Sequence, residues 1–148
     1  MSHEQDLQPR VVVVYGDYLD PFTRAACAAV EEAGGAVEFH HLPREGVAAA
    51  VAAEAARELG GLDAMHAALL RHDGPLTTDD LRRYARGAGL DAERFEAIFG
   101  SDVQLERIRA DVRAAAAAGA DGPPALFLDG ERLLSYEPGW LRERLARA

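Results

Sequence analysis

The first apolar run of the chain is Val11-Val12-Val13-Val14-Tyr15, short, unbroken and β-branched. It is too short for a helix, and its lack of polar alternation predicts a strand covered on both faces. Gly16 to Asp20 reads as a loop. Pro21 to Ala33 is helical in composition, and Gly34-Gly35 stops it. Ala36 to His40 reads as a second strand with Val37 and Phe39 on one face. A strand–helix–strand unit of this spacing implies parallel pairing through a right-handed crossover.

After Pro43 the period changes from strand-like to helical, and it stays so from Gly46 to Gly119. Leu62, Met65 and Leu69 recur at helical spacing, as do Leu81, Tyr84 and Ala88. Phe95, Ile98 and Phe99 form a further apolar face, and Leu105, Ile108, Val112 and Ala115 a longer one. Thr77 with Asp80, Asp91, and Ser101 with Gln104 read as helix starts, the last as a capping box. Strand texture returns at Ala125-Leu126-Phe127-Leu128. Asp129-Gly130 is a hairpin signal, Glu131 to Leu134 the return strand, and Gly139 to Arg147 a closing helix. The order is β-α-β, a helical block, then β-β-α. It predicts one α/β domain over 11–148, preceded by a flexible start at 1–10 and interrupted by an all-helical insertion at about 46–119.

Composition narrows the function classes. The chain has 148 residues, 49% of them hydrophobic, which suits one folded domain with a real core. A net charge of −9 repels a phosphate backbone, and no basic stripe offsets it, so nucleic acid is not an expected partner. Arg142, Arg144 and Arg147 read instead as cations on the last turn of a helix. Residues 1–10 lack the basic start and apolar run of a secretory signal, and no apolar stretch is long enough to span a bilayer. Cytoplasmic residence without membrane insertion is the expectation, and a single cysteine, Cys27, agrees with it. One thiol also rules out dithiol–disulfide chemistry within the molecule.

Several local stretches carry a resemblance. Tyr15-Gly16-Asp17-Tyr18-Leu19-Asp20-Pro21-Phe22-Thr23 resembles the strand end and helix start that hold Cys-Pro-Tyr-Cys in the DsbA-like family. His40-His41-Leu42-Pro43 is similar to that family's exit from its second strand, and Ala64-Met65-His66 to a segment of its insertion. Gly119 to Phe127 resembles the stretch holding its cis-proline. The resemblance runs from about Val11 to Leu145 and implies a thioredoxin-like β-α-β / β-β-α sheet with an inserted all-helical subdomain.

The chain departs from that family where the chemistry sits. Asp20 and Thr23 stand at the positions of its two cysteines. Disulfide exchange needs a thiolate to attack and a second thiol to resolve, and neither a carboxylate nor a hydroxyl can do this. Asp20 reads as an N-cap before Pro21 at the first helical position, or else as a carboxylate that touches a ligand. Thr23 needs a base beside it to act as a nucleophile; His40, His41 and His66 are the candidates. Cys27, one turn further on, reads as an apolar packer or as a lone reactive thiol. Pro124 matches the cis-proline, or else Pro123-Pro124 is a rigid loop in a trans chain. The resemblance implies that the residue before it pairs its backbone with an extended peptide or with glutathione, but Pro123 has no N–H to give. His40 and His41 point to opposite faces of a strand, and no histidine spacing suits a metal, so none is expected. His66 and His72 read as histidines of helix surfaces or of the rim of the core.

The expected function is a redox-inactive DsbA-like module for binding or regulation. Its groove would lie between the Asp20 and Pro124 loops, lined by Tyr18, Asp20, Phe22, Thr23, Pro123 and Pro124. A peptide, a protein or a small thiol would be its partner, and the resemblance allows attachment to a larger membrane protein. The alternatives are a glutathione-dependent transferase or isomerase, with glutathione the one cofactor candidate, and a single-cysteine oxidoreductase through Cys27.

Overall fold

The computed structural model describes residues 8–147. The flexible start expected at 1–10 therefore lies mostly outside the described residues. Strand β1 (Val11–Gly16) leads through a loop into helix α1 (Pro21–Glu32) and strand β2 (Ala36–His41). Five helices follow: α2 (Val47–Glu58), α3 (Leu62–Arg71), α4 (Thr78–Gly87), α5 (Ala92–Phe99) and α6 (Val103–Ala117). The chain closes with β3 (Ala125–Leu128), β4 (Glu131–Leu133) and α7 (Pro138–Ala146). The sheet order is β2-β1-β3-β4, with β1 and β2 parallel and both later pairings antiparallel. This is the thioredoxin-like α/β fold with a helical insertion.

The reason each element forms is local. In β1, Val12 and Val14 are fully buried under α1 and α7, where they meet Val30, Leu126, Leu128, Leu141 and Leu145. Val13 and Tyr15 face the other side and are half-buried against Leu42, Ala115, Ala120 and Phe127. Cover on both faces is what an unbroken β-branched run requires. Asp129 and Gly130 both adopt positive φ, 51° and 82°, as a tight hairpin between β3 and β4 demands.

The insertion has its own core, built on alanine. All of Ala49 to Ala56 in α2 is buried, so that helix shows no polar face in sequence. Around it gather Met65, Leu69, Leu81, Ala85 and Phe95 from α3, α4 and α5. Phe39 of β2 packs against both the sheet core and this one.

Two of the three expected helix starts hold. Thr77 and Asp80 form a reciprocal capping box, and the Asp91 carboxylate accepts from the Arg94 N–H at 2.9 Å. The box expected at Ser101 and Gln104 is absent. Helix α6 begins one residue later, after Asp102, which makes no side-chain cap. The Ser101 hydroxyl turns back to the Ile98 carbonyl at 2.9 Å, and Gln104 is buried with its amide toward Glu58. Burial of Gln104 competes with capping and wins.

Candidate functional site

The head of α1 is a closed polar corner. The Asp20 Oδ1 accepts the Phe22 N–H at 3.3 Å, and Oδ2 accepts the Thr23 N–H at 3.0 Å and the Thr23 hydroxyl at 2.9 Å. The same hydroxyl accepts the Asp17 N–H at 3.2 Å. Thr23 is fully buried, and its proton goes to Asp20. None of the three histidines named as candidate bases bonds it: His40, His41 and His66 all bond elsewhere. The room for Thr23 exists because residue 16 is glycine; a Cβ there would stand 2.4 Å from the Thr23 Cγ2.

Three residues before Asp20, a second carboxylate does different work. Asp17 is buried; its Oδ1 accepts the Leu19 N–H at 2.9 Å. Its Oδ2 accepts the N–H groups of Arg44, Glu45 and Gly46 at 2.9, 3.0 and 3.3 Å. It thereby ties the β1–α1 loop to the entry of the insertion. A Cβ at Gly46 would lie 2.2 Å from the Asp17 Oδ1, so the approach needs glycine. Sequence reasoning placed Asp17 only in a loop; its position in the Gly-Asp-Tyr segment was the available signal.

The Pro123–Pro124 peptide bond is cis. The groove expected between this loop and the Asp20 loop divides into separate spaces. Asp20 and Pro123 line a cavity of about 250 Å³ together with Leu19, Pro21 and Arg44. Pro124 opens instead on a larger groove of about 790 Å³, formed by Ala25, Ala28 and Ala29 of α1 and by Leu133, Leu134 and Tyr136. Leu134 is 89% exposed at this groove, and Phe22 stands 62% exposed on α1. Tyr18 is a correction to the expected lining. It is buried in the insertion core, stacked on Phe39 with ring centroids 4.5 Å apart. An aromatic ring this large gains more from burial than from lining an open groove.

Cys27 is 1% exposed, within the sheet core. Burial, with a smaller contribution from Glu31, pushes its thiol up to about 12. At neutral pH it is a protonated apolar packer.

A second polar cluster, not singled out in the sequence, sits where β2 meets the insertion. His41 donates or accepts through Nε2 with the buried Glu54 carboxylate at 2.8 Å. Glu54 also holds Arg57 at 3.1 Å and Arg107 at 3.0 Å. Burial acts to raise the Glu54 carboxyl, but the His41 hydrogen bond and charge, with Arg57, outweigh it and hold the carboxyl below its ordinary range. The Tyr18 hydroxyl lies 2.7 Å from the His66 Nδ1. Burial raises that phenol well above its ordinary value and lowers His66, so the phenol donates to a neutral imidazole. On the opposite face of β2, His40 contacts Asp111 at 3.2 Å and Glu38 at 2.8 Å. The Asp111 hydrogen bond is the main cause that raises His40 to about 9. His72 is buried and closes α3 through Tyr84 and the Pro75 carbonyl, so it is a core histidine and not one of a helix surface. Among the described residues no three His, Cys, Asp or Glu side chains are arranged to hold a metal, and no helix is long and apolar enough to cross a membrane.

A thioredoxin-type sheet with a cis-proline loop facing the first helix, and a helical insertion between β2 and β3, defines the class of protein. The sequence profile of the DSBA-like thioredoxin domain matches residues 41–139, and the chain belongs to that family. Among solved structures it is similar to a thioredoxin-like oxidoreductase from Silicibacter pomeroyi DSS-3. That match has a TM-score of 0.78 at 26% identity, over 92% of this chain and 84% of that one. The thiol-disulfide exchange protein alpha-DsbA2 of Wolbachia pipientis shares the fold, with a TM-score of 0.77 at 19% identity over 93% and 81%. Among curated proteins, a Na(+)/H(+) antiporter, NhaA 3 of Salinispora tropica, is 37% identical over 134 residues, 84% of this chain and 21% of that protein. An antiporter of Salinispora arenicola is 36% identical with the same coverage. The chain thus spans about a fifth of the length of these curated relatives.

Proposed function

We propose that this DsbA-like domain has given up thiol exchange and acts as a docking module for a membrane ion transporter of the Na(+)/H(+) antiporter kind, on the cytoplasmic side. The observation that carries the reading is the Asp20 carboxylate folded back on the Thr23 hydroxyl at 2.9 Å. It occupies the two positions where the family's thiols stand, with every polar atom engaged. The burial of Cys27 and its raised pKa support leaving that thiol out of the chemistry. A fixed carboxylate at Asp20 opposes a glutathione thiolate at the same place. The resemblance to one stretch of longer antiporters supports a transporter as the partner. The groove beside Pro124, with Leu134 at its rim, suits an extended apolar segment of that partner.

The test has two arms. In an insulin-reduction assay the native chain should give no turnover above background, whereas the double variant Asp20→Cys, Thr23→Cys should gain it. Turnover by the native chain would overturn the loss of redox chemistry. Binding of a detergent-solubilised antiporter membrane portion should be saturable and weakened about tenfold or more by Leu134→Asp, the effect of a charge in an apolar contact. Absent binding, or equal binding by Leu134→Asp, would overturn the docking reading.

A further inference from the structure

Strand β4 ends the sheet: the order is β2-β1-β3-β4, and among the described residues only β3 pairs with it. A sheet edge presents backbone N–H and carbonyl groups that no strand receives. The register says which ones. Leu128 and Glu131 flank the two-residue Asp129-Gly130 turn as a hydrogen-bonded pair, and bonded and non-bonded pairs alternate along an antiparallel ladder. Phe127 and Arg132 are then a non-bonded pair, and the Arg132 N–H and carbonyl point outward. Two residues on, the Leu134 N–H and carbonyl have no hydrogen-bond partner among the described residues, and the Leu134 side chain stands in solvent. This edge borders the groove beside Pro124, with Ala25, Ala28 and Ala29 of α1 across from it.

The side chains along the edge say what it would accept. Leu133 turns toward α1 and joins the sheet core. Arg132 turns to the other face, its guanidinium over the Phe127 ring at 5.9 Å from the centroid. It donates to the Gly119 carbonyl at 3.3 Å and meets no carboxylate among the described residues. Glu131 is already held by Arg144 at 3.2 Å. Glu32 lines the groove from α1, exposed and without a basic partner among the described residues. A second copy of this chain does not fit the edge. Antiparallel pairing of two copies about Arg132 sets two guanidinium groups opposite each other, and like charges directly across a ladder repel. The unmatched charges fit a foreign strand that brings an acid to one face and a base to the other.

We infer that β4 takes an extended segment of the docked partner as an added antiparallel strand, with an acidic side chain opposite Arg132, an apolar one before it opposite Leu133 and a basic one after it beside Glu32. The inference rests on the docking role of the groove beside Pro124 and names the conformation and chemistry of what enters it. In strand addition the main chain supplies affinity and alternate side chains supply specificity. The probe is the peptide acetyl-Thr-Val-Glu-Lys-Thr-amide, titrated into isotope-labelled protein and followed by nuclear magnetic resonance. Its control is the isomer with Glu and Lys exchanged, which has the same net charge. The probe should give saturable shifts at the Arg132 and Leu134 amides in the millimolar range and slow the hydrogen exchange of the Arg132 N–H. The isomer should bind about fivefold more weakly, since both cross-strand charge pairs are reversed. Methylating the Glu amide nitrogen of the probe removes a ladder donor and should cost about tenfold. Arg132→Glu should reverse the order of probe and isomer; the side chain is exposed, so the fold tolerates the change. No saturable shift at Arg132, equal affinity of the isomer, or full affinity of the methylated probe would overturn the inference. The docking reading survives that outcome if the antiporter membrane portion still binds and Leu134→Asp still weakens it. It falls alone if the probe pairs as expected and the membrane portion does not bind.

Discussion

Two polar regions flank the start of the sheet, and they are built on opposite terms. The corner at the head of α1 is where the family keeps its reactive pair. There Asp20, Thr23 and Asp17 satisfy one another and the surrounding N–H groups completely. The junction of β2 with α2 and α3 holds two buried ionisable side chains, a raised phenol, a lowered imidazole and an orphan nitrogen. Strained or unmatched polarity marks functional sites more often than satisfied polarity does. In this chain that mark has left the corner and stands at the junction.

The largest effect should come from breaking the junction. Glu54→Ala leaves His41 buried without its carboxylate and two guanidinium groups without an anchor. Removing one member of a buried ion pair should lower the unfolding free energy by about 3 kcal/mol in denaturant titration. Because the folded Glu54 pKa is lowered, its contribution is present above the unfolded value and fades as pH falls through the folded one. The gap between native and variant should therefore begin to narrow once the pH falls below the unfolded carboxyl's value of about 4.3. A loss under about 1 kcal/mol, or a gap that persists in acid, would mean that the junction is as relaxed as the corner.

A smaller effect belongs to the corner. Asp20→Ala removes a cap and should cost about 1 kcal/mol, while Asp20→Asn should cost only a few tenths. A loss of about 3 kcal/mol in Asp20→Ala, or an Asn variant as damaged as the Ala variant, would show that the carboxylate's charge does more than cap α1.

The smallest effect concerns His40, which lies on the other face of β2 from His41. Its folded pKa of about 9 is raised above the unfolded value. The stability that it supplies is fully present below about pH 6.5 and is lost as pH rises through about 9. The ring is one-third exposed, so solvent screening reduces the contribution to about 1 kcal/mol or less. Thermal unfolding of the native chain should fall slightly between pH 7 and pH 10, and His40→Gln should not follow it. Equal slopes would remove the His40–Asp111 link from the comparison.

The elements were legible because their signals are local. The valine run, the Gly34-Gly35 stop and the Asp129-Gly130 turn each act within a few residues, and each stands where the pattern placed it. The cap at Asp20 was legible for the same reason. Helix α2 was legible only as part of a helical block, because a helix buried on all sides shows no amphipathic period. The junction was not legible at all. His41 and Glu54 are thirteen residues apart, Glu54 and Arg107 come from different helices, and no short spacing announces them. Tyr18 misled for a related reason: its place in the active-site segment suggested the groove, while its partner Phe39 lay across the sheet–insertion boundary.

Asp17 joins what these regions keep separate. One oxygen of its side chain accepts from the β1–α1 loop and the other from the chain as it enters the insertion. Opening either segment breaks hydrogen bonds to the same buried side chain. The amides of Leu19, Arg44, Glu45 and Gly46 should therefore exchange with solvent at similar rates, as members of one local unit, in a hydrogen-exchange measurement. In this domain the loop that would carry the family's chemistry is a latch on the insertion.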